Sequence, residues 1–301
     1  MSAPLAASPL EPAGTVRGAR WRARAAVATV VMLALLAGWL LWDNRRLEVT
    51  TYQVEVTGLA GSTEGLRIVQ LSDLHAADFG DFTQRLVDQV RAAEPDLVAV
   101  TGDLVDLHTR DLAPVLELMA RLDRIAPVHL VLGNHEAESP VADELLEGLA
   151  TVGVEVLRDQ ARSVTVRGTE ITLAGLDDPH VAHLAGGEPR DPGAVLEGLE
   201  LPVGPPVVLL AHRPELLDRY AASPADVVLS GHAHSGQVRL PWWGGLYAPN
   251  QGWLPDRTEG LHTVAGTTMV ISRGLGNSQV GVRAGNPREL VVVDLIAPGA
   301  S

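Results

Sequence analysis

The sequence predicts an α/β fold preceded by one N-terminal transmembrane helix. Near the front, Ala25 to Trp42 runs for 18 residues without a charge. Behind it, short apolar strand-like segments alternate with segments of helical period. At 1.5 Å per helical residue, the uncharged run approaches the roughly 30 Å thickness of a bilayer core. Trp21, Trp39 and Trp42 stand at or near its ends, where indoles favour the headgroup layer. Four arginines precede it, against Arg45 and Arg46 behind it. That bias keeps the amino terminus in the cytoplasm and puts the rest of the chain outside, in a single-pass arrangement at the cell membrane. A cleaved signal peptide is the competing reading. The length of the run, and its end in Trp42, Asp43 and Asn44 instead of a small-residue cleavage site, favour the anchor.

After the span, Glu48 to Thr57 alternates like a half-buried strand, and Leu66 to Leu71 is a shorter, more apolar one. Helical Arg85–Ala93 precedes strand Leu97–Thr101, helical Leu112–Ile125 precedes Val128–Leu132, and helical Val141–Thr151 precedes Val154–Leu157. This alternation predicts a parallel sheet. Further strands are expected at Ser163–Val166, Ile171–Leu176, Val207–Ala211, Val227–Ser230, Met269–Ser272 and Glu289–Leu295. Leu240 to Gly260 is too rich in Gly and Pro for regular structure and reads as a long loop over the site. The divisions expected are a disordered basic tail (1–24), the span (25–42), a linker with the first strand (43–65), a catalytic domain (66–296) and a short tail (297–301).

At 301 residues and 46% hydrophobic composition the chain can bury a full core. Its net charge of −14 argues against a broad phosphate-backbone surface and hence against nucleic acid as a partner. With no cysteine, disulfides, thiolate metal ligands and a cysteine nucleophile are excluded.

Five motifs place Asp, Asn or His directly after predicted strands, where open α/β sheets gather ligand-binding groups. They are LSDLH (Asp73, His75), TGDLVD (Asp103), LGNHE (Asn134, His135), LLAHRP (His212) and SGHAHSG (His232, His234). Asp73 with His75, or Gly102 with Asp103, is by itself ordinary turn chemistry. Two histidines two positions apart in a loop can each aim a ring nitrogen at neighbouring ions. All five together, each behind an apolar strand, are a poor fit to independent turns.

In this order the motifs resemble the calcineurin-like metallophosphoesterase family over about Leu66 to Leu295. The stretches LSDLH, GNHE, AHRPE, GHAHSGQ and SRGLG resemble its membrane-associated bacterial branch in particular. The resemblance implies a four-layer αββα sandwich of two mixed sheets, so antiparallel strands are expected beside the parallel ones. It implies two divalent ions (Mn, Fe or Zn), the first held by Asp73, His75 and His234, the second by Asn134, His212 and His232, with Asp103 bridging. It also implies that a hydroxide shared by the ions attacks a phosphoester or pyrophosphate, and that His135 contacts the phosphoryl group or protonates the leaving oxygen. Ala233 and Ser235 replace the Thr and Gly of many relatives, at positions that supply no ligand. The substrate expected is a phosphorylated small molecule or a lipid- or envelope-linked one, with no protein partner. The alternative is a non-catalytic metal-binding envelope protein, against which the retained His135 argues.

Other polar residues read as structural. His180, in a Pro-containing turn, is structural or a rim contact, and Asp177 and Asp178 are turn-formers. Arg213 meets a substrate phosphate or pairs with Glu215 or Asp218. Trp242, Trp243, Tyr247 and Trp253 rim the pocket or touch a membrane interface.

Overall fold

The computed structural model describes residues 14–59, 65–76, 80–277 and 281–299, with side chains described from Arg20 onward. The chain divides into two compact units, residues 1–42 and 43–301. Helix α1 (Gly14–Asp43) dominates the first. Its stretch Arg20–Asp43 is long and apolar enough to cross a bilayer, with a mean hydropathy of 2.2 over its most apolar 18 residues. The helix starts before Ala25, so residues 14–24, expected in a disordered tail, are helical. The Ala and Arg residues there are strong helix formers, so the helix continues backwards beyond the apolar run. The remaining tail, 1–13, lies outside the described residues.

The second unit contains β1 (Leu47–Glu55), β2 (Leu66–Leu71), α2 (Asp81–Ala92), β3 (Leu97–Val100), α3 (Ala113–Asp123), β4 (Val128–Leu130), α4 (Asn134–Glu138), α5 (Ala142–Thr151) and β5 (Glu155–Val156). It continues with β6 (Gln160–Val166), β7 (Thr169–Leu176), α6 (Pro192–Gly198), β8 (Val207–Ala211), α7 (Leu217–Tyr220) and β9 (Val227–Ser230). Four two-residue strands follow, β10 (Arg239–Leu240), β11 (Gly244–Gly245), β12 (Tyr247–Ala248) and β13 (Gly252–Trp253), then β14 (Gly260–Val264), β15 (Thr267–Ile271) and β16 (Arg288–Ile296).

Two six-stranded mixed sheets result, ordered β1-β16-β2-β3-β4-β5 and β14-β15-β9-β8-β7-β6. The parallel runs expected from the alternation are β2-β3-β4-β5 and β7-β8-β9-β15. They lie in two sheets, each completed by antiparallel pairings, β16 on β2 and β14 on β15 and β6 on β7. Alternation along the chain cannot distinguish one sheet from two. The first strand expected within 43–65 is β1, which pairs along its whole length with β16.

Period-two side-chain alternation builds the layers. Ile68, Leu97, Ala99, Val208, Leu210 and Leu229 point between the sheets. Their neighbours Val69, Val98 and Val100 pack with Leu86, Leu118 and Leu145 of α2, α3 and α5. On the other outer face Val207, Leu209 and Val228 pack with Leu196 of α6 and Leu217 of α7. Strands covered on both faces read as continuous apolar runs, which is why they were legible. β14 was not: it is an edge strand with alternating half-exposed residues, joined to β15 through Ala265 and Gly266, both at positive φ as a tight hairpin turn requires.

Candidate metal centre

The polar motifs sit at the carboxyl ends of five parallel strands, three in one sheet and two in the other. Asp73 and His75 follow β2, Asp103 follows β3, and Asn134 and His135 follow β4. His212 follows β8, and His232 and His234 follow β9. The buried Gln70 side chain links the sheets beneath them, donating to Thr101 Oγ1 at 3.1 Å and Ser230 O at 2.8 Å. Glycine permits the close approaches: a Cβ on Gly102 (φ +94°) would lie 2.7 Å from both Gly133 N and His212 Nδ1.

Two donor groups share Asp103. In the first, His75 Nε2 lies 3.0 Å from His234 Nε2 and 3.9 Å from Asp103 Oδ2, and His234 Nε2 lies 3.3 Å from Asp73 Oδ1. In the second, His212 Nε2 lies 3.2 Å from Asp103 Oδ2 and 3.1 Å from His232 Nδ1. Within each group one donor atom per residue lies within 4.8 Å of all the others, and all six residues are buried. Asn134 opens α4 between Gly133 and His135, and its Oδ1 is buried without a hydrogen-bond partner. His135 donates its backbone N–H to Asp103 Oδ1 at 2.9 Å, and its ring meets the His75 ring edge-on at 4.7 Å. The structure therefore gathers six of the seven His and Asp residues singled out in the sequence into the two groups and sets the seventh, His135, with its neighbour Asn134, beside Asp103.

Asp73, His75, Asp103, His232 and His234 all have φ between +47° and +67°. Left-handed backbone at a non-glycine residue costs on the order of 1–3 kcal/mol and persists only where surrounding contacts over-determine it. Here those contacts include Asp73 N to Gly102 O at 3.0 Å, His75 N to Asp103 O at 2.9 Å, and His232 N to both Asp73 carboxylate oxygens at 3.1 Å.

The charge balance asks for a cation. His212 Nδ1 faces the Thr101 carbonyl at 2.7 Å and must donate to it, which leaves the Nε2 lone pair facing the Asp103 carboxylate. Two electron-rich atoms at that distance need a proton or a metal ion between them. Burial pushes His212 down, but the charge and hydrogen bond of Asp103, then Asp73, push it up to about 10. Burial holds His75 down at about 4 and keeps His232 and His234 well below the ordinary imidazole range, so these rings are neutral donors at pH 7. Burial, then the Asp103 charge, raise Asp73 to about 6, while His212 holds Asp103 well below the carboxylate range despite burial. Neutral imidazoles, two carboxylates and an orphaned amide oxygen fit divalent metal ions.

Sequence reasoning missed two residues. Glu136, quoted within LGNHE but given no task, accepts Asp103 N and Gly133 N on Oε2 at 2.9 and 2.7 Å and Val105 N on Oε1 at 3.1 Å. Its place three residues after the N-cap Gly133 was the available signal. Asn250 brings the irregular 240–260 segment over the site: its side-chain amide lies 3.1 Å from His232 Nε2, the ring nitrogen turned away from the cluster. Arg213 pairs chiefly with the buried carboxylate of Asp178, lies 3.5 Å from Glu215 and 2.7 Å from His180 Nδ1, and leaves Asp218 to Arg257.

The family model described as calcineurin-like phosphoesterase matches residues 66–236. An uncharacterized metallophosphoesterase of Bacillus subtilis (strain 168), YkuE, is 27% identical over 84% of this chain and 87% of its own length. A Bos taurus transmembrane protein with metallophosphoesterase domain is 30% identical over 91% of this chain, which spans 63% of the bovine protein. The phosphodiesterase YaeI of Escherichia coli (strain K12) is 28% identical over 76% of this chain and 82% of its own. The chain belongs to the calcineurin-like phosphoesterase family and is a metallophosphoesterase, a hydrolase acting on phosphoester bonds.

Proposed function

We propose that this chain is a membrane-anchored, two-metal phosphoesterase acting on a lipid- or envelope-linked phosphoester or pyrophosphate outside the cytoplasmic membrane. The observation that carries the two-metal reading is the pair of buried donor groups sharing Asp103. Asp73, His75 and His234 would hold one ion and Asn134, His212 and His232 the other, with Asp103 common to both. The mixed nitrogen and oxygen donors suit Mn, Fe or Zn better than Mg or Ca. A pair of such ions lowers the pKa of water and neutralises phosphoryl charge.

The chain's own residues supply the rest. His135, half-buried and in edge-to-face contact with the His75 ring, would donate a proton to the leaving oxygen. Asp103 fixes His135 through the backbone and His212 through its ring. That His135 stands beside the donor groups without belonging to either favours catalysis over a purely structural metal site.

Three observations support an amphiphilic substrate. Helix α1 is apolar enough to span a bilayer, and the bovine relative is named a transmembrane protein. The segment that Asn250 ties to the site exposes Trp242, Trp243 and Trp253 at 98%, 69% and 73%. Indoles so exposed favour an interface that is apolar on one side and wet on the other.

Turnover of p-nitrophenyl phosphate and its bis-ester with Mn²⁺, compared with lipid pyrophosphates, tests this reading. Activity is expected with Mn²⁺ and lost in Asp103→Asn. A folded, metal-loaded protein that turns over none of these compounds would overturn it.

A further inference from the structure

Asp43 and Asn44 open the second unit and follow directly on the uncharged run Ala25–Trp42. Nothing in the chemistry above uses them, yet both are built into the domain. Asp43 is 2% exposed and accepts the backbone N–H of Asn286 on Oδ2 at 3.1 Å. Asn44 pairs with the Arg283 backbone in both directions: its amide donates to Arg283 O at 2.8 Å, and its Oδ1 accepts Arg283 N–H at 2.9 Å.

The residues they hold lead to the site. The Asn286 amide donates to the carbonyls of His234 at 2.7 Å and Gln237 at 3.2 Å. Those carbonyls bracket an unusual segment, because His234, Ser235, Gly236 and Gln237 all have positive φ, at 47°, 51°, 71° and 60°. Only glycine adopts that region without penalty, so the turn needs outside contacts to persist. Asn286 grips it at both ends. The Arg283 guanidinium, 0% exposed, donates to Gly276 O at 2.6 Å and Arg273 O at 2.9 Å and lies 3.3 Å from His234 Nδ1.

We propose that Asp43 and Asn44 are positioning residues for the ion site containing His234. By fixing the backbone of Arg283 and Asn286, they hold the left-handed turn that aims His234 at His75 and Asp73. The inference rests on the two-ion reading and adds to it that the two sites are supported unequally: the contacts of Asp43 with Asn286 and of Asn44 with Arg283 lead to His234.

The test uses the full chain in detergent, titrated with Mn²⁺ after chelation. Asp43→Ala and Asn44→Ala are expected to weaken binding of one ion by about tenfold, the size typical of losing an outer support of a ligand, and to leave the other unchanged. At intermediate Mn²⁺ their electron paramagnetic resonance spectrum should be that of an isolated ion, where the wild type already gives a spin-coupled pair. Asp43→Asn, which keeps an oxygen acceptor for Asn286 N–H, should restore most of the affinity. Should Asp43→Ala not fold, Asn44→Asp, which keeps the acceptor and loses the donor, carries the comparison. Equal weakening of both ions, or unchanged affinities in folded variants, overturns the proposal while leaving the two-metal function standing. A wild type that binds fewer than two ions overturns both.

Discussion

The backbone N–H of His232 lies 3.1 Å from each carboxylate oxygen of Asp73. Asp73 leaves one sheet and His232 the other, so a single buried carboxylate bridges the layers where the donor groups meet. Asp73→Ala removes that charged acceptor and leaves a buried N–H unpaired. A loss of about 1.5–3 kcal/mol is expected for a hydrogen bond to a charged group. Thermal or denaturant unfolding of the metal-free protein reads this, and elemental analysis of the loaded protein should fall from two ions per chain to one. Two retained ions would remove Asp73 from the ligand set.

His135→Ala separates proton donation from metal binding. Its link to Asp103 runs through the backbone N–H, which alanine keeps, and neither donor group includes its ring. Turnover should fall by about 10²–10⁴, the usual contribution of a general acid, with two ions still bound. The fall should be smaller for a substrate whose leaving group, such as p-nitrophenolate, needs little protonation. Loss of metal in this variant would contradict the assignment.

Glu136→Gln probes the support beneath Asp103. Three backbone N–H groups point at the two oxygens of Glu136, and a glutamine offers only one oxygen. Whichever way the amide turns, an NH₂ faces a donor, and the unpaired buried group costs about 1–3 kcal/mol. We expect a lower melting temperature and weaker binding of both ions, since Asp103 belongs to both groups. Calorimetry on the apo and loaded forms reads the two effects; an unchanged melting temperature in both would show that Glu136 is not needed as a threefold acceptor.

What the sequence disclosed, and what it hid, follows from the range of the interactions. Strands buried on both faces print an apolar run on the chain, and the polar residue ending each run is conspicuous, so Asp73, Asp103, Asn134, His212 and His232 could be picked out one strand at a time. The backbone conformation of Asp73 or His234 leaves no such mark, because even Asp and His, which enter the left-handed region more readily than most non-glycine residues, adopt it only in a minority of places. The Asp43–Asn286 contact joins positions 243 apart and has no periodicity to betray it. Glu136 was visible as a letter, but its three partners are backbone groups brought in by folding. Asn250 lay in a segment whose Gly and Pro content read as a long loop; the structure gives it two short antiparallel pairs, β10 with β11 and β12 with β13, and its composition carried no sign of what its side chains touch.

Removing the metal should expose a pH dependence that the loaded protein lacks. Without ions, His212 holds a proton up to about 10, whereas in the unfolded chain it releases it near the ordinary value of about 6.5. Its stabilising contribution is therefore complete below about pH 6.5 and is lost as pH rises through about 10. Asp73 and Glu136, raised to about 6 and about 7 chiefly by burial, act in the same direction but at lower pH, where the depressed His75, His232 and His234 oppose them. Between pH 7 and 10 His212 is left as the main contributor in this cluster. The melting temperature of chelated protein should fall across that window, and Mn²⁺ should flatten the curve by taking the place of the proton between His212 and Asp103. His212→Asn should be flat even without metal; a slope that survives in that variant would place the proton elsewhere.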